Sequence, residues 1–365
     1  MTKWDLKLLA IPALLVLGTG CVTTTTQLAP VDPALVRAEE ARQKVLAVQT
    51  REEQQVRLEK VAWPILVAAR DLCEAKPRLG LRYGTIHGTH KDWRAAMQEV
   101  YSLGDTLSVL GVIPGSPADR AGLERGDRIT AAGEFAATVG PDATRRFAEY
   151  LDKRADTAGP LTFELLRAGE RIALSITPEL ACPDALAIAE EGALNAFADG
   201  DAIYVTTAMM RFTEDDELAV IVGHELAHNA MGHIDAKRSN AIASGLLGLL
   251  ADVALATQGV NTGGAYTSQF AQLGAMTFSQ DFEREADYVG MYAMALAGLP
   301  LTNAPTFWRH MAIAHPGSIQ LATSHPTTAE RFVRLEQTIQ GIERKRRQGL
   351  PLRPEMKAEA KRDRE

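Results

Sequence analysis

The sequence predicts an α+β chain in which a mostly helical domain carries an inserted β-rich module. Three observations predict it. A helical pattern with charged faces runs from Ala34 to about Leu72. From Arg78 to Pro178 the period shortens to strands punctuated by Gly and Pro. Beyond Thr206 apolar residues again recur at helical spacing. With 365 residues, 46% of them hydrophobic, the chain can fill two cores and still leave a tail. A formal net charge of -7 argues against nucleic-acid binding, which needs clustered Lys and Arg against phosphates.

The N-terminus places Lys3 and Lys7 before an apolar run, Leu8 to Leu17, and then Gly18-Thr19-Gly20-Cys21. That order is the pattern of a secretion signal, and the run is too short for a comfortable membrane span. Small residues directly before Cys21 resemble a bacterial lipoprotein processing site. The resemblance implies that 1–20 is a removed signal peptide, that Cys21 is lipidated, and that the chain faces the periplasm on a membrane anchor. Val22 offers no inner-membrane retention signal, so the outer membrane is the expected address. Cys73 and Cys182 remain as an even pair in an oxidising compartment. One disulfide is expected, with two separately buried thiols as the alternative.

Residues 21–33, rich in Thr and Pro, are expected to be a tether, and 34–72 a helix whose last turns pack on the helical domain described below. The β-rich module is expected at 73–182. Its strands read as Leu107 to Ile113, Thr162 to Leu166 and Arg171 to Ile176. The stretch Gly111 to Ile129, with Pro114-Gly115-Ser116-Pro117 and Gly126-Asp127, resembles a PDZ domain of the bacterial protease-associated type. In that family a hydrophobic-Gly-hydrophobic loop offers backbone N–H groups to a peptide's terminal carboxylate. The resemblance implies that role for Leu79, Gly80 and Leu81.

The helical domain is expected at 183–342, with a strand over Ala202 to Thr206 and then a helix capped at Thr213, with Glu214, Asp215 and Glu217 at its positive end. On that helix His224 and His228 stand four residues apart, so their rings share a face and can reach one metal ion. Glu225 lies beside them. Neutral imidazoles suit zinc, whose charge acidifies water, and an adjacent carboxylate can take the proton as water attacks a peptide carbonyl. A second helix carrying Glu283 and Asp287 could supply a third ligand and a group that orients a ligand imidazole. His233 reads as a helix-end residue. The apolar segment Ala241 to Ala256, interrupted by Asp252, reads as a core helix or a cover over the cleft.

Gly223-His-Glu-Leu-Ala-His-Asn229, Glu283-Arg-Glu-Ala-Asp287, Asn195-Ala196-Phe197 and Ser324-His325-Pro326 with Arg331 together resemble one zinc metallopeptidase family. It includes the HtpX-type heat-shock proteases and the CAAX prenyl endopeptidases, and its periplasmic lipoprotein branch is the nearer likeness. The resemblance implies a zincin fold, a Zn2+ cofactor held by His224, His228 and Glu283, and Glu225 as general base. It also implies Asp287 behind a ligand, peptide binding at Asn195 and Ala196, and His325 near the cleft as latency ligand or oxyanion donor. The expected function is endopeptidase cleavage of misfolded or misassembled envelope proteins. The alternative is a non-catalytic adaptor or chaperone. Residues 343–365 are expected to be a charged, solvated tail.

Overall fold

The computed structural model describes residues 26, 29–154, 159–257, 262–269, 279–314, 316 and 328–357. Cys21, the signal segment, His325 and the end of the tail lie outside the described residues. The chain divides into two compact units, Met1–Glu40 and Ala41–Glu365. In the first, helix α1 (Pro33–Ala68) begins, its first turn capped by Asp32, whose carboxylate accepts the Ala34 N–H at 2.7 Å.

The second unit holds two hydrophobic cores. One belongs to the β-rich module, in which β2 (Leu81–Gly84), β3 (Ser108–Val112), β4 (Arg128–Ala132), β5 (Phe135–Ala136), β6 (Leu161–Arg167) and β7 (Glu170–Ile176) form one sheet. Its order is β2-β3-β4-β6-β7, with β5 against β4. Leu161, Phe163 and Leu165 alternate inward along β6 and, with Phe147 of the helix Ala143–Lys153, fill the space beneath the sheet. Ahead of the sheet, β1 (Lys76–Arg78) pairs antiparallel with β8 (Glu179–Ala181), drawing the two ends of the module together. Cys73 and Cys182 are disulfide-bonded at the same neck, with Cα atoms 5.8 Å apart. The expected pairing is therefore present.

The module is moored to α1 by charge. Arg82 of β2 reaches Glu52 and Glu59, each at 2.7 Å, and the Tyr101 hydroxyl donates to Glu52 at 2.7 Å. Burial raises the pKa of Glu59, and Arg82 pulls it part of the way back. Trp63 of α1 adds a hydrogen bond from its indole N–H to Glu179 at 3.1 Å.

The other core is helical. The last turns of α1, through Leu58, Ala62, Ile65 and Leu66, pack with the central helix Asp215–Ala230, the helix Ser279–Leu296 and parts of two C-terminal helices. A three-stranded sheet lies beside them: β9 (Ala185–Ala189) runs parallel to β11 (Ala202–Thr206), and β10 (Ala196–Ala198) pairs antiparallel on the far side of β11. This makes β10 an edge strand among the described residues.

Two expectations need correction. The cap of the central helix is Glu214 and not Thr213. Thr213 closes the preceding short helix, Thr207–Phe212, by donating its hydroxyl to Met209 O at 2.9 Å, while the Glu217 carboxylate accepts the Glu214 N–H at 3.1 Å. The segment from Ala241 to Ala256 is not a core helix. It continues the helix His233–Ala256, and Ile242, Leu246, Leu247 and Leu250 along it face solvent. Its lone acid, Asp252, is turned toward the following segment, where it accepts the Thr267 N–H and hydroxyl at 2.8 and 2.7 Å. No helix among the described residues is long and apolar enough to cross a membrane.

Candidate metal centre

The site is built where two helices cross. The central helix, α6 (Asp215–Ala230), is buried from Leu218 through His228, and α8 (Ser279–Leu296) packs along it; α7 is the helix His233–Ala256 that follows α6. Side-chain-free contact lets them approach. A Cβ on Gly223 would meet the Gly290 carbonyl oxygen at 3.1 Å, so the backbones touch one residue before His224.

From α6, His224 and His228 turn their Nε2 atoms toward each other, 3.2 Å apart. From α8, the Glu283 carboxylate comes within 3.2 Å of His224 Nε2 and 3.3 Å of His228 Nε2. All three residues are buried. Donors around a tetrahedral zinc at bonds of about 2.0 Å stand about 3.3 Å from one another. The two Nε2 atoms stand at that spacing and each faces its own Glu283 oxygen, Oε2 toward His224 and Oε1 toward His228, so His224, His228 and Glu283 would hold a zinc ion with donor atoms that lie within 4.8 Å of one another. Glu225, also buried, occupies the helix position between the two histidines' turns.

The other ring nitrogens show why the lone pairs point inward. His224 Nδ1 lies 2.9 Å from Asp287 Oδ1, so Nδ1 carries the hydrogen and donates it, leaving Nε2 for the metal. Asp287 is held in turn by Arg331 at 2.6 Å, from helix α10 (Ala329–Arg347), and the Arg331 guanidinium lies 3.2 Å over the ring of Trp308. Trp308, on helix α9 (Asn303–Ala314), also stands edge-on to His224. Burial alone would lower the His224 pKa, but hydrogen bonds to Asp287 and Glu283 outweigh it and hold the ring up to about 9. Burial likewise opposes the charge on Asp287, yet Arg331 and His224 keep its carboxyl below the usual carboxylate range.

Other predicted residues fall in place around this centre. Asn195 precedes β10, and Ala196 opens it, paired with Val205. Just after His228, the Asn229 amide donates to Asp184 at 2.6 Å and to Ala202 O, while its oxygen accepts the Gly200 N–H at 2.8 Å. That clamp fixes the strand layer to the end of α6. Leu79, Gly80 and Leu81 lie in the other core, with Gly80 at φ 77 and the Leu79 and Gly80 carbonyls accepting the Ala118 and Ile113 N–H groups. Sequence reasoning missed Trp308 and the part played by His233, whose ring sits 3.0 Å behind His228. Trp308 meets His224 from a helix distant in sequence and left no local period, whereas His233 follows His228 by five residues and was read only as a helix-end residue.

Comparison with known proteins agrees with this geometry. Residues 163–339 match the sequence model of peptidase family M48, and residues 108–133 match that of the PDZ domain. The mitochondrial metalloendopeptidase OMA1 of Schizosaccharomyces pombe is 26% identical over 220 residues, covering 58% of this chain and 64% of the relative. The metalloprotease LoiP of Escherichia coli is 31% identical over 144 residues, covering 38% and 56%. The beta-barrel assembly-enhancing protease of Yersinia pestis is 24% identical over 190 residues, covering 48% and 39%. The chain thus spans less than two thirds of the length of these relatives. Residues 163–339 thus resemble peptidase family M48 and residues 108–133 a PDZ domain, and the cluster of His224, His228 and Glu283 fits the zinc-dependent peptidase that this likeness describes.

Proposed function

We propose that the protein is a zinc-dependent endopeptidase that cleaves non-native proteins of the cell envelope. The observation that carries the reading is the convergence of His224 Nε2, His228 Nε2 and the two Glu283 carboxylate oxygens on one buried point, next to Glu225. Zinc bound there supplies a Lewis acid and lowers the pKa of water in the site. The chain's own groups do the rest. Glu225 takes the proton of the attacking water on its carboxylate and returns it to the departing amine nitrogen. Asp287, set by Arg331, keeps His224 in the tautomer that faces inward. The outer edge of β10, beginning at Ala196, offers main-chain hydrogen bonds to an extended substrate, which gives affinity without demanding one sequence, while Asn195 anchors the strand's start through the bonds of its N–H and carbonyl to Thr206.

The finer reading follows the lipoprotein branch of the HtpX-type family. Cys21 anchors the protein by lipid to the outer membrane, on its periplasmic side, and Leu79-Gly80-Leu81 in the PDZ domain takes peptide C-termini. His325 belongs to the same proposal, as a group beside the cleft. The test is cleavage of a loosely folded protein such as casein by the full chain, with and without chelator and in Glu225→Gln. Cleavage that survives both treatments would overturn the reading. Membrane retention of Cys21→Ser would overturn the anchor.

A further inference from the structure

His233 is left unexplained by the ligand set. It is buried at the first position of α7, immediately after a turn in which Gly232 adopts φ 68. That left-handed residue reverses the chain between α6 and α7 and brings His233 back beneath His228. The His233 Nδ1 atom lies 3.0 Å from His228 Nδ1, and its Nε2 lies 3.0 Å from Glu285 Oε2. The ring is stacked on Phe282 at a centroid distance of 4.6 Å.

One assignment of hydrogens suits the His228–His233–Glu285 contacts and leaves the His228 Nε2 lone pair toward the metal site. With His228 Nε2 turned toward Glu283 and His224, its hydrogen sits on Nδ1 and is donated to the Nδ1 lone pair of His233. The hydrogen of His233 is then on Nε2 and is donated to Glu285. On the other side, His224 is held in the same sense by Asp287 and Arg331. Each histidine therefore has its own support, one a carboxylate–arginine pair and the other a histidine–carboxylate pair. Both carboxylates come from the helix that brings Glu283.

We propose that His233, oriented by Glu285, is a positioning residue that fixes the tautomer and ring direction of His228 for metal binding. This rests on the reading of His224, His228 and Glu283 as metal ligands. Supporting hydrogen bonds of this kind are worth about 10–100-fold in metal affinity. His233 does not ligate: the ring nitrogen nearest the site is turned to His228, and the other is turned away to Glu285.

Three variants of the full chain separate positioning from packing. His233→Phe keeps a ring on Phe282 but has no acceptor for His228. His233→Asn loses the stack but returns an acceptor oxygen near the place of Nδ1. Glu285→Ala removes the outer partner at a half-exposed position, where folding is little disturbed. Zinc affinity is read by competition with a chromogenic chelator, and the melting temperature of the metal-free protein is read alongside. Positioning predicts that His233→Phe loses about tenfold or more in zinc affinity while His233→Asn stays within about threefold, and that Glu285→Ala falls between them. Wild-type affinity in both His233→Phe and Glu285→Ala would overturn the proposal, as would a loss in His233→Asn matching that in His233→Phe. Failure of the wild-type chain to bind zinc would instead overturn the ligand assignment itself.

Discussion

Gly223 and Gly290 are in backbone contact: a Cβ placed on Gly290 would lie 2.7 Å from the Gly223 carbonyl oxygen and 3.0 Å from the His224 amide nitrogen. The distance from α6 to α8, and so from the histidines to Glu283, is set by two missing side chains. Gly290→Ala should therefore spread the helices despite Ala's better helix propensity. We expect a loss of about 2 kcal/mol in stability, within the usual range for overpacking, and weaker zinc binding. Chemical denaturation and chelator competition on the same variant check both.

Glu225→Gln should abolish hydrolysis while leaving bound zinc in place, because it removes the proton acceptor and spares each ligand. Glu283→Ala should lose zinc as well, since it empties one corner of the donor triangle. Metal content and cleavage measured on one preparation of each variant give the answer. Zinc loss in Glu225→Gln would count against its separation from the ligand set.

Arg82→Met should leave Glu52 and Glu59 facing each other at the junction of α1 and the β-rich module without their shared cation. The expected cost near pH 7 is about 3 kcal/mol, the low end for breaking a buried pair, because Arg82 itself is partly exposed. The sign of the pH dependence follows from Glu59, whose folded pKa is raised. A raised acid contributes stability that is present below its unfolded pKa and lost as pH rises through the folded value. The variant should therefore recover stability as pH falls from neutrality toward the unfolded carboxylate range of about 4.3. Thermal melts across that window test it, and a penalty that grows on acidification would refute it.

Peptides bearing a free C-terminal carboxylate should bind the full chain more tightly than the same peptides amidated, because only the carboxylate engages the N–H groups of the Leu79-Gly80-Leu81 loop. Gly80→Ala should remove the difference. Its backbone is left-handed, and an added Cβ would fall 2.1 Å from Ser116 Cβ. Fluorescence anisotropy with matched peptides measures both, and equal affinity for the two forms would defeat the carboxylate-loop proposal.

Much of the fold was legible because it is written in local periods. Alternation along Leu161–Arg167 and Glu170–Ile176 is the inward and outward pattern of a hairpin, and the i, i+4 spacing of His224 and His228 is one face of a helix. The exact cap was not legible, since Thr213, Glu214 and Asp215 can all accept a backbone hydrogen bond. The neighbouring helix decided the matter by taking the Thr213 hydroxyl. The exposure of Ile242, Leu246 and Leu250 was equally hidden, for an apolar stripe shows that a face could be buried and not whether anything covers it. At the centre, residue types named the chemistry, but the supports behind the histidines come from 63 and 107 residues away in the chain for His224. Asp287 was nameable from its place after Glu283 and from the family resemblance, but the hold of Arg331 on it, across 44 residues, is made only by tertiary packing.

The neck formed by Cys73 and Cys182 has a bearing on how such a chain can be cut and rebuilt. A separation of 109 residues in sequence closes to 5.8 Å in space, a gap that one or two residues can bridge. Everything between these positions is, for the helical body, a detour with a common start and finish. A chain joined directly across the gap would have the same path through α1, α6 and α8 as the full protein. A nick anywhere inside the detour would leave both halves of the catalytic body covalently tied. The same ring shields the body from unravelling at a cleaved loop, while a replacement module would have to supply the cation that Arg82 gives to Glu52 and Glu59.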